Sequence, residues 1–278
     1  MSVRIIVDST ADMRPEVKEQ VKIVPLTVHF GEEEFKDGVT IDYVQFYEKL
    51  ASCDALPTTS QPNPATFEET YKEVTKEGDE AVVITISSKL SGTCQSATIA
   101  AADYDNIYVV DGKTAAIGTG ILVELALQLA AEGLSAKEIA ARIEEEREHV
   151  RIVALIETLE YLQRGGRISK AVALAGGMLS IKPIISVEHG VIEMAAKVRG
   201  MKQGFKNLSV EAEKLGEIDY TKPLMLGFTG KEAENLEKYE EAYADFWNKG
   251  NEYGKAALGS AIGTHIGPGA VAAAYFVK

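Results

Sequence analysis

The sequence predicts an α/β protein of two domains: a parallel, three-layer α/β/α sheet domain over residues 1–157 and a mixed-sheet α/β domain over residues 158–278. In the first half, continuous apolar runs alternate with helical patterns, which is typical of a parallel sheet covered on both faces. In the second half, only His189 and Gly190 separate two apolar runs, and this hairpin spacing indicates antiparallel strands. The length of 278 residues exceeds what a single hydrophobic core usually fills.

The first domain is predicted to alternate strands and helices. Its apolar runs predict strands over residues 3–7, 21–30, 81–86 and 107–110. Its helices are predicted from residues that cap the free N–H groups of a first turn or fit that turn. These are Asp42 before a helix over 43–51, Asn63 and Pro64 before a helix that Gly78 ends, and Ser135 with Glu138 for a helix over 136–150.

The second domain is predicted to open with the hairpin strands 183–188 and 191–195. After the hairpin, the hydrophobic pattern predicts a helix near 204–215, a strand at 223–227, a helix over 231–248 and a last strand over 270–277. The boundary is placed near Thr158. No linker rich in serine and glycine marks this boundary, so we expect the two domains to pack closely.

The chain is acidic, with 29 Lys and Arg against 42 Asp and Glu and a formal net charge of −13. This charge argues against non-specific binding to nucleic acid and against docking on an anionic membrane by bulk charge. A local basic patch is either a solvated face or an electrostatic dock for a partner or a phosphate. It consists of Lys197, Arg199, Lys202 and Lys206.

Cysteine content and hydropathy indicate the compartment. The two cysteines, Cys53 and Cys94, are too few for a disulfide framework. The N-terminus lacks the apolar core of a signal peptide, and no window offers about 18 uninterrupted apolar residues for a membrane span. We therefore expect a cytoplasmic protein.

The segment SSKLSGT (87–93) is the strongest local indication of a binding site. It follows a predicted buried strand and precedes an Ala-rich helical pattern. The free N–H groups of such a helix start favour a carboxylate or phosphate. Ser91 and Thr93 add hydroxyl donors, and Gly92 permits close approach of the backbone. Alternatively, Ser91 only caps the helix, and the spacing fits both interpretations equally well.

Three further segments carry polar candidates. Thr59 and Ser60 lie in a loop, where ordinary loop polarity is the simpler explanation on local grounds. His265 stands in a Gly-rich turn whose backbone is suited to presenting it. Arg164 and Arg167 flank a glycine pair, where each either forms an ion pair within the fold or binds an acidic ligand group.

Two chemical alternatives stay open from the residues. Asp8 and Asp12 follow the first predicted strand, where they bind a metal or, as we favour, close the turn. The sequence contains no phosphate-binding P-loop, no HExxH or CxxC motif and no GxSxG elbow. A hydrolase triad of Ser91, His265 and an aspartate nevertheless remains conceivable.

Six segments together resemble the DegV family of bacterial fatty-acid-binding proteins, in the family's order over nearly the whole chain. They are DSTAD (8–12), TSQP (59–62), SSKLSGT (87–93), LEYLQRGGRIS (159–169), IKPI (181–184) and IGTHIGPG (262–269). The resemblance implies a two-domain DegV-like α/β protein that holds one long-chain fatty acid between or beneath its domains. It further implies the binding subunit of a fatty acid kinase, whose separate ATP-binding subunit phosphorylates the carboxyl group.

The resemblance also assigns residues by position. It implies that Thr59 and Ser91 meet the carboxylate with His265 nearby, and that Ser60, Gly92 and Thr93 shape the rim. It implies that Arg167, Arg199 and Lys202 support the site or face the kinase. Cys94 departs from the family, which usually has a tyrosine or another large residue there, so an altered cavity wall is expected.

Three hypotheses follow. The first is a carrier without turnover of its own, which needs no cofactor or metal and with which transient membrane contact is compatible. Burying about sixteen methylenes contributes roughly 12 kcal/mol to binding before ordering costs. The second is a serine-dependent lipid hydrolase or acyltransferase that uses Ser91 and His265. The third is a structural or regulatory module with an incidental cavity.

Overall fold

The computed structural model describes residues 2–76, 78–168, 181–249 and 252–278. These residues form a four-stranded parallel sheet, a six-stranded mixed sheet and a three-stranded antiparallel sheet. The predicted α/β class, with a parallel sheet and a separate mixed sheet, is confirmed.

The strands of the parallel sheet lie in the order β2-β1-β6-β7. Those of the mixed sheet lie in the order β10-β9-β8-β13-β11-β12, and those of the small sheet in the order β4-β3-β5. Their bounds are β1 (Val3–Asp8), β2 (Lys22–Val24), β3 (Thr27–Phe30), β4 (Glu33–Lys36), β5 (Thr58–Ser60), β6 (Glu80–Thr85), β7 (Ile107–Asp111), β8 (Val150–Leu155), β9 (Ile181–Glu188), β10 (Val191–Arg199), β11 (Met225–Phe228), β12 (Gly254–Ala257) and β13 (Val271–Phe276).

The helices of the described ranges differ widely in length, and two short 3₁₀ turns accompany them. Their bounds are α1 (Pro15–Lys18), α2 (Tyr43–Ser52), α3 (Pro64–Thr75), α4 (Thr93–Ala100), α5 (Ala116–Ala131), α6 (Ala136–Glu146), α7 (Glu160–Arg164), α8 (Met201–Lys214), α9 (Glu234–Trp247) and α10 (Ser260–Ile266). In the part of the chain that the structure describes, none of them is long and apolar enough to cross a lipid bilayer.

The parallel sheet is the centre of three layers. Alternate residues of β1 and β6 point to opposite faces, as the two-residue period of a strand requires. Ile6 and Val83 join a core with α3 and α4, whereas Ile5 and Val82 join the core that contains α5 and α6. The predicted parallel strands are therefore sandwiched between two helical layers.

Helix α5 joins the two larger sheets. It contacts β1 and β6 of the parallel sheet and β8, β11 and β13 of the mixed sheet. Its residues from Ala116 to Glu124 are buried on every side. A single hydrophobic core therefore runs through both sheets, while α8 and α9 cover the opposite face of the mixed sheet.

The local helix signals act as predicted. Asp42 and Gln45 form a capping box at α2, and Ser135 and Glu138 form one at α6. The side chain of Asn63 accepts the N–H of Thr66 at the start of α3. These caps supply hydrogen bonds that the first turn of a helix cannot make internally.

Two predicted elements were wrong in extent. The strand predicted over 21–30 is divided at Pro25 and Leu26 into β2 and β3, which lie in different sheets. The helix predicted over 136–150 ends at Glu146, because the β-branched and aliphatic run from Val150 pairs with β9 and β13. Strand β8 thus belongs to the mixed sheet although it precedes residue 158. A division of the chain into domains at 157/158 stays a prediction.

Candidate functional site

An apolar cavity lies where the mixed sheet meets α5 and the loops of the parallel sheet. The space free of protein atoms within the cavity and at its open side amounts to about 770 Å³. Most of its wall is aliphatic. The aliphatic residues that line it are Leu26, Ile86, Leu90, Ala115, Ala116, Ile117, Ile152, Ala154, Leu162, Ile185, Val187, Ile192, Leu258, Ala261, Ile262, Ile266 and Ala272.

One part of the cavity wall is polar. Thr59, Ser91, Arg167 and His265 line it there, and we call these four residues the polar end; Thr10 is a further polar residue that lines the cavity. Oγ1 of Thr59 lies 2.8 Å from Nε2 of His265, so the two side chains are hydrogen-bonded across 206 residues of sequence. The structure therefore brings together four residues that the sequence analysis had found in four separate segments.

Each hydroxyl of the polar end is placed by a different part of the fold. Thr59 lies in the middle of β5, which pairs with β3 in the small sheet. The prediction of a loop at this position was wrong, because β5 is only three residues long and its apolar content is low. Ser91 follows β6 of the parallel sheet and precedes α4, as the sequence predicted.

The start of α4 carries the hydroxyls of Ser91 and Thr93. Oγ of Ser91 lies 2.8 Å from Oγ1 of Thr93, and no side-chain cap is bonded at Gly92. A Cβ atom at Gly92 would lie 2.3 Å from the amide oxygen of Gln61, so a larger residue there would require the Gln61 side chain to move. Oγ of Ser91 also accepts the N–H of Thr93 at 3.4 Å, so Ser91 contacts the start of the helix, as the capping alternative expects.

His265 lies in the last turn of α10, which differs from the predicted Gly-rich turn. Burial, together with the neighbouring Arg167 cation, lowers the pKa of His265 from 6.5 to about 4. The imidazole is thus neutral at pH 7 and can donate or accept a hydrogen bond without a full charge. A Cβ at Gly165 would lie 2.3 Å from its Nδ1 atom, so the glycine pair of the QRGGR segment makes room for the ring.

Arg167 is held by the backbone. Its Nε donates to the carbonyl of Leu90, and its Nη1 donates to the carbonyl of Gly165. These bonds fix a cation at the polar end next to the loop that carries Ser91. The neighbouring Arg164 instead forms an i,i+4 ion pair with Glu160 on α7.

Some candidates lie outside the cavity wall. Ser60 is exposed, and its Oγ bonds with Nε2 of His29 at 2.9 Å. Thr93 is buried next to Ser91. Cys94 does not line the cavity, so the structure offers no support for the expected effect of Cys94 on the cavity wall. Ser169, the last residue of one motif, lies outside the described residues.

The basic patch is remote from the polar end. Arg199 and Lys202 are exposed near the end of β10 and the start of α8. Ile192, at the other end of β10, lines the cavity. The strand between Ile192 and Arg199 spans roughly 20 Å, so the patch does not touch a ligand held at the polar end.

The sequence analysis missed the aliphatic wall. Ile152 and Ala154 on β8, and Ile185 and Val187 on β9, alternate with residues that enter the opposite core. This two-residue period is visible in the sequence, but it predicts only a buried strand face. Whether such a face meets solid packing or a cavity depends on how far α5 stands from the sheet.

Asp8 closes the turn after β1, as favoured, whereas Asp12 does not take part in this turn. Oδ1 of Asp8 accepts the N–H and the hydroxyl of Thr10, and Oδ2 accepts the N–H of Ile86. Asp12 binds the backbone of a distant loop. Within residues 2–76, 78–168, 181–249 and 252–278, no group of three or more His, Cys, Asp or Glu is arranged to hold a metal ion.

An α/β architecture that encloses an aliphatic cavity with one hydroxyl-rich end defines a class of proteins able to bind amphipathic ligands. Comparison with known proteins identifies the family. The DegV family model, described as uncharacterised proteins of that family, matches residues 2–278, and the chain belongs to the DegV family.

Relatives and solved structures match over the whole chain. A DegV domain-containing protein of Clostridium perfringens is 34% identical over 280 residues, which cover 99% of this chain and 98% of the relative. A Thermus thermophilus structure described as fatty acid binding of a DegV family protein has a TM-score of 0.88 at 30% identity, with all of both chains covered. A stearic acid-binding protein from Eubacterium ventriosum has a TM-score of 0.88 at 26% identity, covering 99% and 98%.

Proposed function

We propose that this protein binds one long-chain fatty acid, with its acyl chain in the aliphatic cavity and its carboxylate at the polar end. The observation that carries the proposal is the joining of an aliphatic cavity to the hydroxyls of Thr59 and Ser91 beside a neutral His265. The fatty acids bound by the Thermus and Eubacterium relatives support the same ligand class.

The chemistry of the polar end suits a carboxylate. A buried carboxylate must receive hydrogen bonds, because its desolvation otherwise dominates. Ser91 offers a hydroxyl donor, the hydrogen-bonded pair of Thr59 and neutral His265 offers one more, and the Arg167 guanidinium lies nearby to offset the negative charge. The aliphatic wall removes the acyl chain from water at about 0.8 kcal/mol for each methylene.

We infer further that the protein presents the bound acid to a separate, ATP-dependent kinase subunit. A surface depression of about 880 Å³ shares Thr59, Arg167 and His265 with the cavity, so a carboxylate there is close to the surface. A carboxylate oxygen would attack the γ-phosphorus of ATP on the partner, giving an acyl phosphate and ADP. The exposed Arg199 and Lys202 are proposed to face that partner.

The hydrolase alternative has less support. His265 Nε2 is bonded to Thr59 rather than to Ser91, whose Oγ is bonded to Thr93. Among the described residues, Nδ1 of His265 has no hydrogen-bond partner, so no aspartate orients the ring as a hydrolase triad requires. We therefore propose a carrier without turnover of its own.

Native mass spectrometry of the purified protein tests the proposal. We expect the wild type to carry the additional mass of one fatty acid. Ser91→Ala should bind the fatty acid with an affinity that is lower by about tenfold or more, because a hydrogen bond to a charged group is lost. Thr98→Ala, an exposed hydroxyl of α4, is the matched control. A wild-type protein that carries no lipid and takes up no added stearic acid would overturn the proposal.

A further inference from the structure

Three aspartates, Asp8, Asp12 and Asp37, are each no more than 3% exposed, and they lie near one another behind the polar end. In the described ranges none of them forms a salt bridge with a basic residue. Asp8 is satisfied by Thr10 and Ile86 within the parallel-sheet half. The roles of Asp12 and Asp37 are not explained by local turns.

Both aspartates hold the start of α10. Oδ1 of Asp12 accepts the N–H of Gly259 at 2.8 Å, and Oδ1 of Asp37 accepts the N–H of Ser260 at 3.0 Å. A Cβ atom at Gly259 would lie 3.3 Å from the first oxygen and 3.4 Å from the second. The two carboxyls, which we call the carboxyl pair, therefore flank one backbone position at the beginning of the helix that carries His265.

The carboxyl pair comes from two different sheets. Asp12 follows β1 of the parallel sheet, whose β6 leads to Ser91. Asp37 follows β4 of the small sheet, and the same sheet contains Thr59 in β5. Helix α10 supplies His265. Two hydrogen bonds to consecutive N–H groups thus connect the three structural pieces that form the polar end.

We propose that Asp12 and Asp37 are positioning residues, which hold α10 so that His265 lies against Thr59 and beside Ser91 at the polar end. The inference rests on the proposed function, because it concerns how the carboxylate-binding groups are brought into register. Neither carboxyl lines the cavity, so neither is expected to touch the fatty acid.

The charge state of the pair makes this positioning sensitive to pH. Asp12 faces Asp8 and Asp37, and Lys18 of α1 is the cation that acts on it. The charges of both members of the pair also act on the hydroxyl of Tyr47 in α2. Burial raises the pKa of Asp12 to about 8, and Oδ2 of Asp12 has no hydrogen-bond partner among the described residues. Asp12 is therefore neutral at pH 7, and its ionisation above about pH 8 places a charge in a cluster where burial also raises the pKa of Asp8 and of Asp37.

Affinity for stearic acid, measured by calorimetry from pH 6.5 to 9.5, tests the inference. Asp12→Asn keeps an oxygen for the Gly259 N–H but cannot ionise, whereas Asp12→Ala removes the acceptor. We expect the affinity of the wild type for stearic acid to fall about tenfold between pH 7 and 9.5, and that of Asp12→Asn to stay constant. The affinity of Asp12→Ala should be about tenfold weaker at every pH, because one buried hydrogen bond is lost. Asp103→Asn, at an exposed position, should behave as the wild type.

The His265 imidazole resonances in the NMR spectrum separate positioning from stability. We expect them to shift in Asp12→Ala, while the resonance of the buried Trp247 indole stays unchanged in a folded protein. Unshifted His265 resonances in Asp12→Ala, or in Asp37→Ala if Asp12→Ala fails to fold, would overturn the positioning, and identical pH profiles for wild type and Asp12→Asn would overturn its pH sensitivity. Failure of every protein to bind stearic acid at any pH would instead overturn the proposed function.

Discussion

The aliphatic wall of the cavity and its polar end are built in different ways. The wall comes from regular strands and one helix, and its contacts with an acyl chain are non-directional. The polar end comes from β5, α10 and two loops, and its hydrogen bonds depend on distance and angle. We therefore expect the wall to determine whether a fatty acid is held, and the polar end to determine how its carboxylate is oriented.

The largest effect is expected from filling the aliphatic wall. Ala272→Phe places a ring in the cavity at a position paired with Ala154 across the sheet. Displacing four methylenes of a ligand would cost roughly 3 kcal/mol, or more than about a hundredfold in affinity. Native mass spectrometry should detect no bound fatty acid in this variant. Ile99→Phe, on an exposed part of α4, should retain the ligand; equal retention by both would contradict the assigned wall.

A smaller effect is expected from displacing His265 at the polar end. Gly165→Ala places a methyl group 2.3 Å from Nδ1, so the ring or the loop must move. We expect the affinity for stearic acid to fall about tenfold, since one charge-assisted hydrogen bond is weakened. Gly133→Ala is the control, because a Cβ there meets no atom within 4 Å. Its positive φ makes the control imperfect, since alanine strains the backbone at that position. Unchanged affinity in Gly165→Ala, measured by calorimetry, would show that His265 does not contribute to binding.

The comparison also explains which parts were predictable. Strands β1, β6 and β7 were expected because each is a continuous apolar run between helices. Helix α10 was not, because it has only seven residues and its N–H groups are bound by Asp12 and Asp37, which lie 247 and 223 residues away from their partners. A helix capped from distant segments has no local cap signal.

The polar end was therefore found by its residue types rather than by its geometry. Ser91 was located from a strand, loop and helix pattern that the structure contains. The bond between Thr59 and His265 could not be derived, because it depends on the small sheet packing against α10. Ser60, adjacent to Thr59, points away, as alternation along β5 requires.

A moderate effect on stability is expected from pH. The pKa of Asp12 rises from 3.8 to about 8 on folding, so the folded state binds the proton more tightly and stability falls as pH rises towards 8. The slope attributable to Asp12 is up to about 1.4 kcal/mol per pH unit. His265 opposes this slope only weakly between pH 6.5 and 8, because the folded imidazole, with a pKa of about 4, is already neutral and the unfolded one, with a pKa of 6.5, loses its remaining proton early in that range.

Urea denaturation of wild type and Asp12→Asn measures this slope. The difference in free energy of unfolding between the two should change in favour of Asp12→Asn with each step up in pH. A constant difference across pH 6.5 to 8 would mean that Asp12 is ionised throughout that range. This result would show that protonation of Asp12 does not control how α10 holds His265 at the polar end.

The smallest effect on ligand affinity is expected at the basic patch. Arg199→Glu and Lys202→Glu change exposed residues away from the cavity wall. We expect affinity for stearic acid to stay within about twofold, while phosphorylation by a fatty acid kinase subunit slows and becomes less sensitive to salt. Glu213→Lys, an exposed change of charge on α8, is the control. An unchanged phosphorylation rate would exclude the patch as the partner-facing surface.

A crystal structure with 18-bromooctadecanoic acid tests the central claim most directly, because anomalous scattering locates the tail and the density locates the carboxylate. The account predicts the carboxylate within hydrogen-bonding distance of Thr59 and Ser91, and the bromine among the aliphatic residues of the wall. A bromine beside His265, or a cavity that stays empty at saturating ligand, would contradict it.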